Sequence, residues 1–163
     1  MEIRPAADTD CFADISAVYE QSWKYAYKNI IPQSYLYSIP SGRWISGINK
    51  NGRTDVIALD GEKTVGAASF CASRWERFRG WGEVVSLYLL PGYIGRGLGS
   101  ALLRYCTDEL EKRGFDSVLL WVLEDNHRAR RFYERHGFVC TDEYITDNIG
   151  GRELREVMYA RRK

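Results

Sequence analysis

The stretch Ile94-Gly95-Arg96-Gly97-Leu98-Gly99-Ser100 has to be a turn from a strand into a helix. Before it, residues 82–90 are rich in Val and Leu and polar only at Glu83 and Ser86, the pattern of a central strand covered on both faces. Pro91-Gly92 ends that strand. After it, residues 97–113 place Leu98, Ala101, Leu102, Tyr105, Cys106 and Leu110 on one helical face, and Gly114 suits the position just past the helix. Glycines let a backbone approach a ligand closely. The first N–H groups of a helix have no partner of their own, and the helix dipole adds positive potential there. Such a turn suits a phosphate or pyrophosphate, and Arg96 can add a charge-assisted contact. The glycine pattern is G-x-G-x-G, without the G-K-[ST] of a Walker loop. It follows antiparallel-looking hairpins, unlike a dinucleotide-binding βαβ unit. A tight turn that binds nothing is the other reading.

The remaining elements fit around this turn. Residues 3–5 read as a short edge strand. Asp8, Thr9 and Asp10 offer caps for a helix near 10–27, with Phe12, Ile15, Val18, Tyr19, Ser22 and Trp23 at helical spacing. A short helix is expected from Pro32 to Tyr37, and a turn or two at 43–49. Strands are expected at 55–59 and 64–73, joined at Asp60-Gly61, then at 117–123, 138–145 and 154–160, with a helix at 126–136. Asn148-Ile149-Gly150-Gly151 reads as a loop between the last two strands. The order β-α-α-β-β-β-α-β-α-β-β predicts a mixed α/β (α+β) sheet with helices packed on it, in one domain over residues 1–163.

A net charge of +1 gives no global attraction to nucleic acid or an anionic membrane. With 45% hydrophobic and 28% charged residues the chain is ordinary globular material. Cys11, Cys71, Cys106 and Cys140 are widely scattered, with no C-x-x-C pair, which predicts neither a zinc site nor a disulfide framework. No apolar run reaches the length of a membrane span, and the first residues lack a signal-like core. These features predict a cytoplasmic protein without metal, nucleic-acid or membrane partners.

With its flanks, the glycine turn resembles motif A of the GNAT (Gcn5-related) N-acetyltransferase superfamily, [RQ]-x-x-G-x-[GA], with Ile94 in place of the usual Arg or Gln. Downstream, Asp125, Asn126, Ala129, Phe132, Tyr133, Gly137 and Phe138 are similar to motif B, [ED]-N-x-x-A-x-x-[FL]-Y-x-x-x-G-F. The resemblance is good over residues 55–160 and extends to the first 50 only in layout. It implies a mixed, mostly antiparallel seven-stranded sheet, splayed between its fourth and fifth strands and flanked by about four helices. It implies acetyl-CoA as acyl donor, entering that splay and attacked directly by the acceptor amine in a ternary complex. The backbones of Leu87 and Leu89 would pair with the pantetheine amides. Gly95, Arg96, Gly97, Gly99 and Ser100 would surround the pyrophosphate, and Asn126 would hydrogen-bond the pantetheine arm. A homodimer is allowed by the same analogy.

Acyl transfer to an amine needs a proton acceptor, because a lysine-like amine of pKa ~10.4 is protonated at neutral pH. It also needs an oxyanion site and a proton donor for the leaving thiolate. Tyr133, at the motif B tyrosine, is the expected donor; a core aromatic beside Phe132 is its other reading. Glu83 is the expected base. A carboxylate in an apolar strand is costly unless paired or used, and in histone-type members the catalytic glutamate keeps the same spacing from motif A. Its other reading is a strand-end carboxylate in water or paired with Arg79. His127 and His136 read as surface or capping residues.

The resemblance puts the acceptor between the first two helices and the last hairpin. Trp23, Tyr27 and Tyr144 are the expected contacts, with Tyr25, Tyr35 and Asp147 nearby; aromatic faces can bind a cation. Trp23 and Tyr27, four apart on one helix, also read as core packing. A small-molecule primary amine is the expected acceptor. The alternatives are a protein or peptide acceptor, or an acyl-CoA-binding sensor without turnover. A closed aromatic pocket would favour the first and an open groove the second.

Overall fold

Strand β4 (Gly82–Leu89) occupies the middle of the molecule, and its alternating side chains explain why. Val84, Leu87 and Leu89 pack with α3 (Leu98–Lys112) on one face; on the other, the Ser86 and Tyr19 hydroxyls, the latter from α1 (Phe12–Ala26), share a hydrogen bond of 2.8 Å. Ser69 Oγ lies 2.8 Å from the same Ser86 oxygen. The polar residue is therefore satisfied inside an apolar layer, as burial demands.

The computed structural model describes residues 1–163. The other strands are β1 (Glu2–Pro5), β2 (Thr54–Asp60), β3 (Lys63–Ala72), β5 (Ser117–Leu123), β6 (Val139–Ile149) and β7 (Arg152–Arg162). They form one seven-stranded sheet in the order β1-β2-β3-β4-β5-β7-β6. Every neighbouring pair is antiparallel except β4 and β5. A parallel pair needs a crossover, and α3 supplies it, burying Leu98, Leu102, Leu103, Cys106 and Leu110. The fold class and the four helices agree with the expectation; the remaining two helices are α2 (Gln33–Ser38) and α4 (His127–Arg135). A main core lies around β2, β3 and β4, and a smaller one joins Ile31, Leu36 and Ile39 to Leu123 and Leu154. No helix is long and apolar enough to cross a membrane. All four cysteines are free, and Cys71 and Cys106 are buried.

Three expectations change in detail. Helix α1 is not capped by Asp8, Thr9 or Asp10: Cys11 is its N-cap, without a side-chain bond. Asp10 instead accepts two bonds from the Arg4 guanidinium, both 2.7 Å, and one from the Ala7 N–H. A bidentate guanidinium is the stronger partner. Residues 43–49 give only a 3-10 turn, Ile45–Gly47, after which Asn49 takes φ +53° and pairs with Asp55. The last hairpin is longer than expected because Gly150 (φ +63°) and Gly151 (φ +86°) close β6 onto β7 in a tight turn.

Candidate active site

The ladder between β4 and β5 stops almost as soon as it starts: only Gly82 pairs with Val118 and Glu83 with Leu119. On its other side β4 slips register against β3, where Ser69 faces Ser86 but Phe70 faces Val84. Val85 is the extra residue of a β-bulge, which bends a strand and raises its twist. The bulge sits where β4 leaves β5, so the two strands splay beyond it. Leu90 N–H bonds to Val65 O at 2.9 Å. Antiparallel pairing alternates, so positions 90, 88 and 86 bond to β3, and the backbones of Leu87 and Leu89 face the gap. Ser22 Oγ of α1 already donates to the Leu89 carbonyl there, at 2.7 Å.

The glycine turn lies at the top of this gap. Gly95 and Gly97 have φ of +81° and +80°, which side chains rarely adopt, and a Cβ on either would meet nothing within 4 Å. Gly97 is the N-cap of α3 and gives no side-chain cap. The N–H groups of residues 95–100 find no acceptor in the protein; the first helical bond is Ala101 N–H to Gly97 O. A row of free N–H groups at a helix start is an anion cradle. Arg96 does not reach into the gap: it is exposed, with its guanidinium 5.4 Å from the centre of the Tyr93 ring.

A cavity of about 650 Å³ runs from this cradle through the splay. It brings together Gly95, Gly97, Gly99, Ser100, Leu87, Leu89, Asn126 and Tyr133 with Glu83, Trp23 and Tyr27. Gly99 faces the Phe132 ring of α4 and Leu89, and a Cβ there would make ordinary contact with both, at 3.5 and 3.6 Å. Asn126 caps α4 by accepting the Ala129 N–H at 3.2 Å, which leaves its amide N–H₂ for another partner. Tyr133 packs against Phe132, Phe138 and Tyr159 but its hydroxyl bonds to no protein group. Burial raises its pKa above the ordinary phenol value, with the Tyr88 hydroxyl adding to the shift, so the phenol keeps its proton at neutral pH. Outside the cavity, His136 Nδ1 lies 2.7 Å from Phe132 O, and His127 is exposed at the first turn of α4.

Glu83 is 1% exposed and held by four donors: Arg74 N–H (3.0 Å), Arg74 Nε (3.2 Å), Arg74 Nη2 (2.7 Å) and Trp75 Nε1 (3.3 Å). Arg79, its partner in the alternative reading, binds Glu76 instead. Trp23 and Tyr27 pack edge to face at 5.2 Å and still line the cavity, so packing and lining coincide. Tyr144 does not join them; it is 54% exposed on β6, with Arg155 over its ring at 4.2 Å.

Several lining residues escaped the sequence reading. Tyr88 meets Tyr27 hydroxyl to hydroxyl at 3.2 Å. The Trp75 and Trp121 rings meet at a tilt with centroids 4.9 Å apart, and Glu156 of β7 completes this end. Tyr88 alternates with Leu87 and Leu89, a periodicity that marks it as facing the opposite side of β4. Arg74 and Trp75 lie in an irregular connection with no motif to flag them. The buried indole N–H groups of Trp23 and Trp121 have no partner.

The sequence profile described as the acetyltransferase (GNAT) family matches residues 15–138. The chain is 32% identical over 148 residues to the uncharacterized N-acetyltransferase YuaI of Bacillus subtilis (strain 168), covering 88% of this chain and 83% of that one. Its fold is similar to the PaiA N-acetyltransferase of Thermoplasma acidophilum in complex with coenzyme A, at 20% identity, TM-score 0.77, and coverage of 99% and 98%. It is also similar to yncA of Salmonella typhimurium with its cofactor acetyl-CoA, at 23% identity, TM-score 0.74, and coverage of 99% and 92%. Profile, relative and sheet architecture agree: the chain belongs to the GNAT acetyltransferase family and is an N-acetyltransferase.

Proposed function

We propose that this enzyme transfers an acetyl group from acetyl-CoA to a primary amine of a small molecule, by direct attack in a ternary complex. One observation carries the reading: a single cavity joins the free N–H cradle at residues 95–100 to an aromatic, acidic chamber across the β4–β5 splay. Acetyl-CoA supplies the activated acetyl thioester. The cradle suits its pyrophosphate, and the backbone of Leu87 with the N–H of Leu89, turned into the gap, suits the amides of its pantetheine arm. The Asn126 amide faces the same arm. An N–H of β4 turned into the gap stabilises the oxyanion, where donors count most because water is excluded. Tyr133 gives its proton to the departing sulfur. Trp23 and Tyr27 at the end of α1 and Tyr88 of β4 form an aromatic wall for the acceptor, which supports a small amine over a protein chain. The absence of metal-dependent steps and a cytoplasmic location belong to the same proposal.

The test is thiol release from acetyl-CoA against polyamines, amino acids, aminoglycosides and lysine peptides, with Tyr133→Phe in parallel. Amine-dependent release that falls about 10²–10⁴-fold in the variant, with acetyl-CoA affinity kept within about threefold, is the expected result. Release confined to the peptides would transfer the reading to a protein acceptor. Tight acetyl-CoA binding without release for any amine would make the chain a sensor.

A further inference from the structure

Two carboxylates line the chamber, and they differ in how they are bonded. Glu83 has every favourable lone-pair direction occupied by Arg74 and Trp75. To act as a base it would have to give up a donor. Glu156 accepts no hydrogen bond and forms no ion pair, although it is only partly exposed and lines the same cavity. It stands on β7 opposite Leu123 of β5 and Ile145 of β6, so the sheet holds its backbone from both sides. Its charge is felt at the Tyr27 and Tyr88 hydroxyls, the pair that closes the chamber beside Tyr133. A half-buried carboxylate without a partner is costly, and a cation beside it would offset that cost.

Resting on the acetyltransferase reading, the geometry points to Glu156 as the group that receives the acceptor's ammonium and takes its proton, with Glu83 as the residue that positions the Arg74–Trp75 segment. The charges around Glu156 fit this division. Asp147 of β6 adds negative charge; Arg74 opposes it but is bound to Glu83; Tyr27, Tyr88 and Tyr133 are neutral; Lys28 lies on the exposed rim. Arg155, its neighbour in β7, turns to Glu124 and Tyr144. Burial and Asp147 raise the Glu156 pKa, bringing it closer to that of the proton it must accept.

The step balances. The ammonium loses one proton to Glu156, and the freed nitrogen lone pair forms the N–C bond to the acetyl carbonyl. The C–S bond breaks with its electron pair on sulfur, which takes the Tyr133 proton. The second nitrogen proton restores the phenol, and Glu156 releases its proton to water. The products are an amide, a thiol and one proton.

The experiment has two arms. The first measures kcat/KM against pH for acetylation of tyramine and spermidine by the wild type, Glu156→Gln and Glu83→Gln. The expected result is a fall of about 10²–10⁴-fold in Glu156→Gln with loss of the acid limb; Glu83→Gln keeps that limb. The second titrates glutamate side-chain ¹³C carboxyl signals of the acetyl-CoA-bound enzyme, identifying Glu156 by its loss in the variant. Glu156 is expected to titrate above the usual carboxylate range and to move down when tyramine is added. A Glu156→Gln rate within threefold of wild type, with the acid limb kept, overturns the proposal and leaves the transferase reading intact. A wild type that binds acetyl-CoA but acetylates neither amine overturns the base role. The titration then decides the ammonium site alone: a signal unmoved by tyramine removes it, and a downward shift retains it.

Discussion

Tyr133 and Glu83 show how differently two residues singled out by sequence can be housed. The phenol has a free hydroxyl facing a cavity, whereas the carboxylate is caged by donors from one short segment. Only the carboxylate is buried; the Arg74 side chain is half exposed, so water takes over much of its charge when the partner is lost. Glu83→Gln is therefore expected to destabilise the fold by about 1–2 kcal/mol, read as a lower urea midpoint. Glu83 was legible because it is one of two polar residues in an apolar strand. Its partner was not: Arg74 belongs to an irregular connection, and nothing in the spacing prefers it to Arg77 or Arg79. Glu156 was hidden for another reason. The run Arg152-Glu153-Leu154-Arg155-Glu156 alternates charge along a strand, and only the pairing with β5 shows which charge is turned inward.

At the scale of elements, the turn into α3 was the most legible part of the chain. Glycine spacing, the preceding strand and the amphipathic helix all specify one geometry, and Gly97 indeed takes φ +80° as the N-cap. Gly97→Ala forces a methyl-bearing residue into that region at a cost of about 1–2 kcal/mol. A few degrees of melting temperature and about tenfold of acetyl-CoA affinity are expected to be lost together, by thermal scan and calorimetry. Element ends followed local chemistry less well. Asp10 looks like a cap in sequence, but Arg4 lies across a turn and takes its carboxylate. The bulge at Val85 leaves no mark in composition, because Val-Val-Ser is equally good strand material in either register. The splay came from family resemblance, not from periodicity.

For the molecule as a whole, acid–base balance links stability to the site. The Arg4 guanidinium holds the Asp10 carboxyl down at about 2, so its contribution is present above the usual carboxylate range and lost as pH falls through about 2. Glu156 runs the other way. Its folded pKa is raised, so ionising it destabilises the native state above its unfolded value of 4.5, fully so above its folded one. Glu156→Gln should thus raise the melting temperature by about 1–3 °C at pH 7.5 and leave it unchanged at pH 4. A stability gain from removing a charged residue is the mark of a group kept for use. The order of the sheet was beyond single-sequence reading, since it depends on β7 entering between β5 and β6. The unfinished ladder beside β4 gives the enzyme a built-in occupancy gauge. With the splay empty, the Leu87 and Leu89 amides have no strand to shield them and should exchange with deuterium within seconds. A molecule that lodges between the strands acts as a borrowed strand, so coenzyme A should slow those two amides selectively, whatever amine the enzyme prefers.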